Sequence, residues 1–150
     1  MDCARPSLPG RETEWEVNFV ETRGLIELFY SELWNEWNDA LVDRLLTPNF
    51  EFRGSLGQVT HTRDEWRGYR DIIHAGSFDF YNEVVTLVCD QENGAARMLY
   101  RGTHSGPLLG IGATGKKFAY AGAAFFRADA DRLTSAWVLG DIAALRAQLT

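Results

Sequence analysis

The first half of the sequence places hydrophobic residues at helical spacing. From near Trp15 onward, apolar positions recur every three or four residues, which predicts a long helix with one face turned toward a core. The members of this face are Phe19, Thr22, Ile26, Phe29, Leu33 and Trp37. A second, short helix is predicted to end before Pro48, because proline lacks the N–H donor and its ring clashes with the preceding helical turn.

A third helix is predicted from Thr62 to Gly76. Thr62 is a favourable N-cap, Glu65 follows three residues later and completes a capping box, and Gly76 is a suitable stop. The buried stripe of this helix is expected to consist of Trp66, Tyr69 and Ile73. A short strand over residues 50–53 is predicted to precede it.

The second half of the sequence changes to a strand pattern. Four long strands rich in β-branched and aromatic residues are predicted over residues 80–89, 96–105, 117–127 and 133–139, and residues 141–149 return to helical spacing. Helices followed by an antiparallel sheet predict an α+β fold. In such a fold a curved sheet packs on the N-terminal helices and can leave a pocket between the layers.

The length of the chain predicts one domain. A chain of 150 residues has the size of a typical single domain, and its 45% hydrophobic content can supply a core without disulfides or structural metal. Residues 1–14 contain two prolines, a glycine and scattered charges without periodicity, so they are predicted to be a flexible tail. The domain is therefore expected to cover residues 15–150.

Charge and cysteine content limit the classes of partner and the cellular compartment that are expected. The net charge of −6 repels phosphate backbones and anionic membranes, so neither nucleic acid nor a membrane is an expected partner. Cys3 and Cys89 lie far apart, which fits a reducing interior better than a disulfide scaffold. No apolar run approaches the roughly 18 residues of a membrane span, and the N-terminal segment has no signal-peptide pattern. A cytoplasmic location is the resulting expectation.

Two phosphate-binding motifs occur in the sequence but lack their context. Residues 110–115 match G-x-G-x-x-G, and with Lys116 they also match most of a P-loop. Both motifs function where a helix follows, whereas residues 118–122 alternate like a strand and Lys117 stands where a P-loop has Ser or Thr. A glycine-rich connection between strands is the better interpretation. No metal-ligand spacing is present either, so neither a cofactor nor a metal is predicted.

The groups that could carry chemistry lie on two predicted strands. Side chains alternate along a strand, so Tyr100 and His104 share one face of their strand, and Trp137 and Asp141 share one face of the last strand. A carboxylate under aromatic cover would have a raised pKa, which suits general acid/base catalysis. The alternatives are that Asp141 is the N-cap of the following helix and that His104 is a hydrogen-bonded strand residue.

Aromatic residues make up 13% of the chain and supply candidate walls for a pocket. Large aromatic side chains bury wide areas wherever they lie, so each one is also a candidate core residue. The candidate substrate-binding residues are Phe52, Trp37, Trp66, Tyr81, Tyr100, Tyr120 and Trp137.

Four short motifs occur in a characteristic order and spacing. They are residues 52–57 (FRGSLG), 102–108 (GTHSGPL), 113–115 (ATG) and 137–141 (WVLGD), accompanied by WNE at 34–36 and QL at 148–149. Together they resemble the SnoaL-like polyketide cyclase family over residues 15–149. The resemblance implies a cone-shaped α+β barrel, in which a curved, mainly antiparallel sheet packs on N-terminal helices and encloses a pocket.

The resemblance also implies a reaction. In the cyclases that this sequence resembles, an intramolecular aldol condensation closes a ring of an aromatic polyketide without a cofactor. The aspartate of the last motif is the acid/base, a role that falls on Asp141, with His104 as its polar companion. Such sheets tend to pair with a second copy, so a homo-oligomer, either a dimer or a tetramer, is expected.

The sequence departs from the family pattern at one segment. Where members commonly carry F-P-D-F-H, residues 77–81 read SFDFY, so a proline is missing and Tyr81 replaces a histidine. This difference leaves the substrate and the reaction type open. The alternatives are epoxide hydrolysis or epoxide-opening cyclisation in the same pocket, and a non-catalytic protein that binds a hydrophobic ligand and assists an oxygenase.

Overall fold

The computed structural model describes residues 22–150 and has an α+β fold with four helices in this part of the chain. Helix α1 covers residues 22–35 within this part, and Phe29–Asn35 is π-helical. A 3₁₀ turn at Asp39–Leu41 leads into the short α2, Val42–Leu45. Helix α3 is Arg63–Gly76 and α4 is Ile142–Leu149. The predicted tail at 1–14, like Trp15 and Phe19, lies outside the described residues.

The sheet has six strands in the order β2-β1-β6-β5-β4-β3. Strand β1 runs parallel to β6, and every other pair is antiparallel. The sheet curls without closing, so the predicted cone-shaped α+β architecture is confirmed. The strands are β1 Leu46–Arg53, β2 Val59–Thr60, β3 Tyr81–Cys89, β4 Asn93–Thr103, β5 Lys117–Asp129 and β6 Arg132–Gly140.

The hydrophobic core lies between α1, α3 and the concave face of the sheet. Phe29 is at its centre, where its ring packs 5.4 Å from that of Trp66 on α3 and 5.6 Å from that of Phe126 on β5. All three side chains are buried. Full burial of one such side chain contributes roughly 1.5–3 kcal/mol, so this contact stabilises the packing of the two helices on the sheet.

Helix α3 begins as its sequence predicts. The hydroxyl of Thr62 accepts a hydrogen bond of 3.1 Å from the N–H of Glu65, and the carboxylate of Glu65 accepts one of 2.9 Å from the N–H of His61. The predicted stripe of Trp66, Tyr69 and Ile73 is buried. This fixed N-terminus sets which face of α3 points into the space above the sheet.

The segment around Pro48 differs from its prediction. Proline was expected to follow a helix and precede a strand at residues 50–53, but Pro48 lies inside β1. The pairing of β1 with β6 is irregular between Leu46 and Glu51. Proline is tolerated there because an irregular ladder does not require its missing N–H.

Three other expectations can be compared with the described part of the chain. Residues 110–115 lead into β5 and not into a helix, as predicted from the alternation after Lys117. Cys89 is disulfide-bonded, which does not agree with the reducing environment inferred from the cysteines. None of the helices within residues 22–150 has the length and apolar content needed to cross a bilayer.

Candidate functional site

A small cavity lies between the helices and the concave face of the sheet. Its volume is about 20 Å³, which is enough for about one water molecule. No carboxylate, imidazole, amine or guanidinium is among the described side chains that line it. The lining residues are Tyr30, Trp34, Phe52, Ser55, Tyr69, Ile73, Phe80, Asn82, Tyr100 and Val138. The cavity is therefore aromatic and uncharged, with a few neutral polar groups.

The cavity walls are fixed by contacts between aromatic rings. Trp34 of the π-helical segment meets Tyr69 of α3 edge-on, with ring centroids 6.1 Å apart. Phe80 stacks on Tyr100 of β4 at 6.0 Å with an interplanar angle of 16°. Both helices and the sheet therefore contribute a wall, and their packing decides the cavity shape.

Two glycines leave room for tyrosine rings beside the cavity. A Cβ atom built on Gly122 would lie 2.5 Å from Tyr100, and one built on Gly140 would lie 3.0 Å from Tyr120 and 2.9 Å from Ser55. Real Cβ contacts are essentially never shorter than 3.0 Å. Glycine at these positions is thus a condition for the observed placement of these tyrosines.

Two tyrosine hydroxyls face the cavity without a partner. Tyr30 and Tyr100 are each only 3% exposed, and neither hydroxyl makes a hydrogen bond of normal geometry within the described structure. Burial raises the pKa of both phenols, and the neighbouring Tyr30 and Tyr69 raise the pKa of Tyr100 further. Both hydroxyls consequently stay neutral and keep a proton to donate.

The turn after β1 forms a second polar group at the cavity. The hydroxyls of Ser55 and Tyr120 are hydrogen-bonded at 2.8 Å. Burial raises the pKa of Tyr69 to about 12, although hydrogen bonds that its phenol oxygen accepts from Leu56 and Ser55 act in the opposite direction. This end of the cavity is a neutral hydroxyl network whose members already have partners.

A pair of asparagines separates the cavity from an open cleft. Asn35 donates to the carbonyl of Asn82 at 2.9 Å and accepts from the Asn82 N–H at 3.0 Å. Asn82 lines the cavity, whereas Asn35 lines a cleft of about 730 Å³. The cleft residues are Ser31, Glu32, Asn35, Glu36, Asn38 and Tyr81.

Several of the predicted substrate-binding residues lie at or near the cavity. Phe52 and Tyr100 line it. Tyr120 reaches it through its hydrogen bond to Ser55. Trp66 is fully buried behind Trp34, with ring centroids 5.7 Å apart, so it supports the wall and does not form it.

Trp37 and Tyr81 lie away from the cavity. Trp37 has a φ of 59° and packs its ring under the guanidinium of Arg70, 3.9 Å from the ring centroid. Tyr81 is 42% exposed on the cleft side of β3, where the guanidinium of Arg101 covers its ring. Strand alternation explains Tyr81, because its neighbour Asn82 takes the inward position.

The predicted face of Trp137 and Asp141 exists but points outward. Trp137 and Leu139 are 46% and 51% exposed on the convex side of the sheet, and Asp141 is exposed as well. The carboxylate of Asp141 accepts a 3.1 Å hydrogen bond from the N–H of Ala144 and so caps α4. The expectation that Trp137 lines the pocket was wrong, because the inward positions of β6 belong to Ala136 and Val138.

His104 holds a loop and not a substrate group. Its ring is fully buried, Nδ1 accepts from the N–H of Thr114 at 3.2 Å, and Nε2 lies 3.1 Å from the carbonyl oxygen of Ile111. Both ring nitrogens are thus engaged by the loop, and the role of His104 as the polar companion of Asp141 stays a prediction.

A comparison with protein-family models identifies the family of the chain. The model of the SnoaL-like polyketide cyclase family matches residues 24–149. The chain belongs to this family. A comparison with functionally curated proteins finds no significant match.

Solved structures of several proteins have the same fold as this chain. A candidate SnoaL-like polyketide cyclase from Jannaschia sp. CCS1 has a TM-score of 0.80 at 13% identity, covering 93% of this chain and 96% of that one. TsrD from Streptomyces laurentii has a TM-score of 0.76 at 24% identity, covering 87% and 95%. IdmH from Streptomyces antibioticus, a candidate polyketide cyclase, has a TM-score of 0.73 at 25% identity, covering 85% and 96%.

Eight cavity residues of this SnoaL-like protein were not predicted as site residues. The sequence signal for Tyr30 was its spacing of four from Ile26 and Trp34, which marks a second buried stripe beside the predicted one. The π-helical segment turns both stripes inward, and a regular helical pattern cannot predict this. The eight residues are Tyr30, Trp34, Ser55, Tyr69, Ile73, Phe80, Asn82 and Val138.

Proposed function

We propose that this family member closes a ring of a polyketide by an intramolecular aldol reaction without a cofactor. The uncharged aromatic cavity supports the proposal, since it favours a flat neutral substrate. In the reaction an enolate carbon attacks a ketone carbon, a C–C bond forms, and the ketone oxygen gains a proton while the attacking carbon loses one. A carbon between two carbonyls is already acidic, so orientation supplies much of the catalysis.

The substrate has to enlarge the cavity when it binds. Ligand pockets typically have volumes of about 300–1,000 Å³, far above the 20 Å³ present here. The open cleft supports an entrance at the Asn35–Asn82 pair, because Asn35 lines the cleft and its side chain is hydrogen-bonded to the backbone and side chain of Asn82, which lines the cavity. In the proposal the substrate enters there and displaces the aromatic wall.

Asp141 is the acid/base group in this proposal, as the family resemblance implies. Its carboxylate caps α4 and does not line the cavity, but its neighbour Gly140 lies against Ser55 and Tyr120, so a substrate that opens this polar end of the cavity would reach Asp141. Asp141→Asn tests the role, because asparagine caps a helix about as well as aspartate and the fold should survive. A loss of at least roughly 10²-fold in turnover is expected.

The experiment uses an aromatic polyketide with an unclosed β-keto side chain, and Asp131→Asn in the exposed turn before β6 serves as the matched control. Ring closure by the wild type in ¹⁸O-labelled water should proceed without incorporation of water oxygen, whereas epoxide hydrolysis would incorporate it. Full activity of Asp141→Asn would remove Asp141 from the mechanism, and no ring closure by the wild type would overturn the proposed function.

We also propose that the convex face of the sheet binds a second copy of the chain. Phe125 and Trp137 pair across β5 and β6 with ring centroids 6.0 Å apart, and Leu139 lies beside them on the same face. About half of each side chain is exposed. A contiguous exposed apolar patch on a soluble domain is typical of a protein interface.

A further inference from the structure

Two of the unpartnered polar atoms in the described structure face the same cavity. The hydroxyls of Tyr30 and Tyr100 are buried and lack a hydrogen-bond partner, and both side chains line the cavity from opposite layers of the fold. Native proteins leave few buried polar groups unsatisfied, so each exception requires an explanation. Two exceptions on one cavity point to a ligand atom that both hydroxyls can reach.

The other unpartnered atoms do not share this arrangement. They are Thr60 Oγ1, Trp66 Nε1 and Arg70 Nε, and none of these three residues lines the cavity. Ser55, Tyr69 and Tyr120 have hydroxyl partners or backbone partners of their own. The free hydrogen-bonding capacity within the cavity is thus concentrated on Tyr30 and Tyr100.

The two phenols cannot satisfy each other. They are close enough that each influences the pKa of the other. If one hydroxyl donates to its neighbour, the hydrogen of the second still lacks an acceptor, because each phenol carries one hydrogen. An external oxygen with two lone pairs is the acceptor that would satisfy both.

We propose that Tyr30 and Tyr100 form a subsite for a ketone oxygen and donate two hydrogen bonds to it. The subsite rests on the proposed aldol function. When the enolate carbon attacks the ketone carbon, the π electron pair of the C=O bond moves to this oxygen. Both hydroxyl protons stay on the tyrosines, and the oxygen takes its new proton from Asp141, the acid/base of the proposed function, which has received the proton lost by the attacking carbon. Neutral, buried donors stabilise such developing charge well, because they need no reorganisation.

The test uses a ketone that cannot react, so that its readout does not depend on turnover. The probe is 1-tetralone with a ¹³C-labelled carbonyl, bound to the full chain and observed by infrared difference spectroscopy. In the wild type the carbonyl stretch should lie at lower frequency than in Tyr30→Phe or Tyr100→Phe. In the double variant it should approach the frequency measured in an apolar solvent.

Thr60→Val is the matched control, because it also removes a buried hydroxyl without a hydrogen-bond partner, and Thr60 does not line the cavity. It should leave the carbonyl frequency of the wild type unchanged. Removal of an unpartnered hydroxyl should also leave the Tm of Tyr30→Phe and Tyr100→Phe unchanged or raised. A clear fall in Tm in either variant would show a structural partner and overturn the subsite.

A measurement of turnover distinguishes failure of the subsite proposal from failure of the proposed function. Loss of one such donor should lower the rate of ring closure by about 10²-fold. A shifted tetralone carbonyl without any ring closure by the wild type would keep the subsite and overturn the aldol reaction. Ring closure with an identical carbonyl frequency in the wild type and the double variant, or failure of tetralone to bind, would overturn the subsite alone.

Discussion

The Nε2 atom of His104 lies 3.1 Å from the carbonyl oxygen of Ile111, and this contact holds the glycine-rich connection between β4 and β5 against the domain. Because Nδ1 accepts from the N–H of Thr114, the proton of the neutral ring is assigned to Nε2, which donates to Ile111. One buried side chain therefore fixes both the middle and the end of residues 105–116.

Replacement of His104 should lower stability more than it lowers catalysis. His104→Ala removes the contacts of the ring with the N–H and hydroxyl of Thr114 and with the carbonyl of Ile111, which keeps its hydrogen bond from the N–H of Leu108. The loss is expected to cost about 1–3 kcal/mol. Thermal unfolding and turnover below the transition measure the two effects. A stable variant with turnover reduced 10²-fold would instead support the catalytic role that the family resemblance implies.

Asp79 is expected to make the fold sensitive to acid. Burial would raise the pKa of its carboxyl, but hydrogen bonds from the N–H and the hydroxyl of Thr103, at 2.7 and 2.8 Å, and from Ser77 outweigh it and lower the pKa. A carboxyl with a lowered folded-state pKa stabilises the fold above its ordinary value of 3.8, and this contribution is lost as the pH falls through the folded-state pKa.

The measurement compares unfolding of the wild type and Asp79→Asn between pH 7 and pH 2. The variant should be less stable at pH 7 by about 1 kcal/mol or less, because the carboxyl is partly exposed to solvent. The difference between the two proteins should shrink toward acid. A constant difference over this range would contradict the assigned hydrogen bonds.

The order of elements could be predicted because it depends on local rules. The capping box of Thr62 and Glu65, the stripe of α3 and the four long strands follow from periodicity and cap chemistry alone. The parallel pairing of β1 with β6 could not, because it joins residues more than 80 positions apart in the chain. No local pattern contains such a contact.

The site was harder to predict than the fold, since strand alternation gives two faces without saying which one is concave. Tyr100 and Trp137 were both assigned to the pocket, but Tyr100 is 3% exposed and Trp137 is 46% exposed. The side chains on the two faces of β6 differ in size, since the small Ala136 and Val138 point inward and the large Trp137 and Leu139 point outward. This is the reverse of the usual expectation that large aromatic residues are buried. The proposed contact with a second copy of the chain would account for an outer face with large apolar residues.

Trp137→Glu should therefore dissociate an oligomer without unfolding the chain. The guanidinium of Arg53 lies 4.9 Å from the ring centroid of Trp137, so a carboxylate introduced there gains a nearby cation while it places a charge in the apolar patch. Light scattering should give a multiple of the monomer mass for the wild type and the monomer mass for the variant. Ile72→Glu, on the 54% exposed position of α3, is the matched control and should keep the mass of the wild type. A monomeric wild type would contradict an interface on this face.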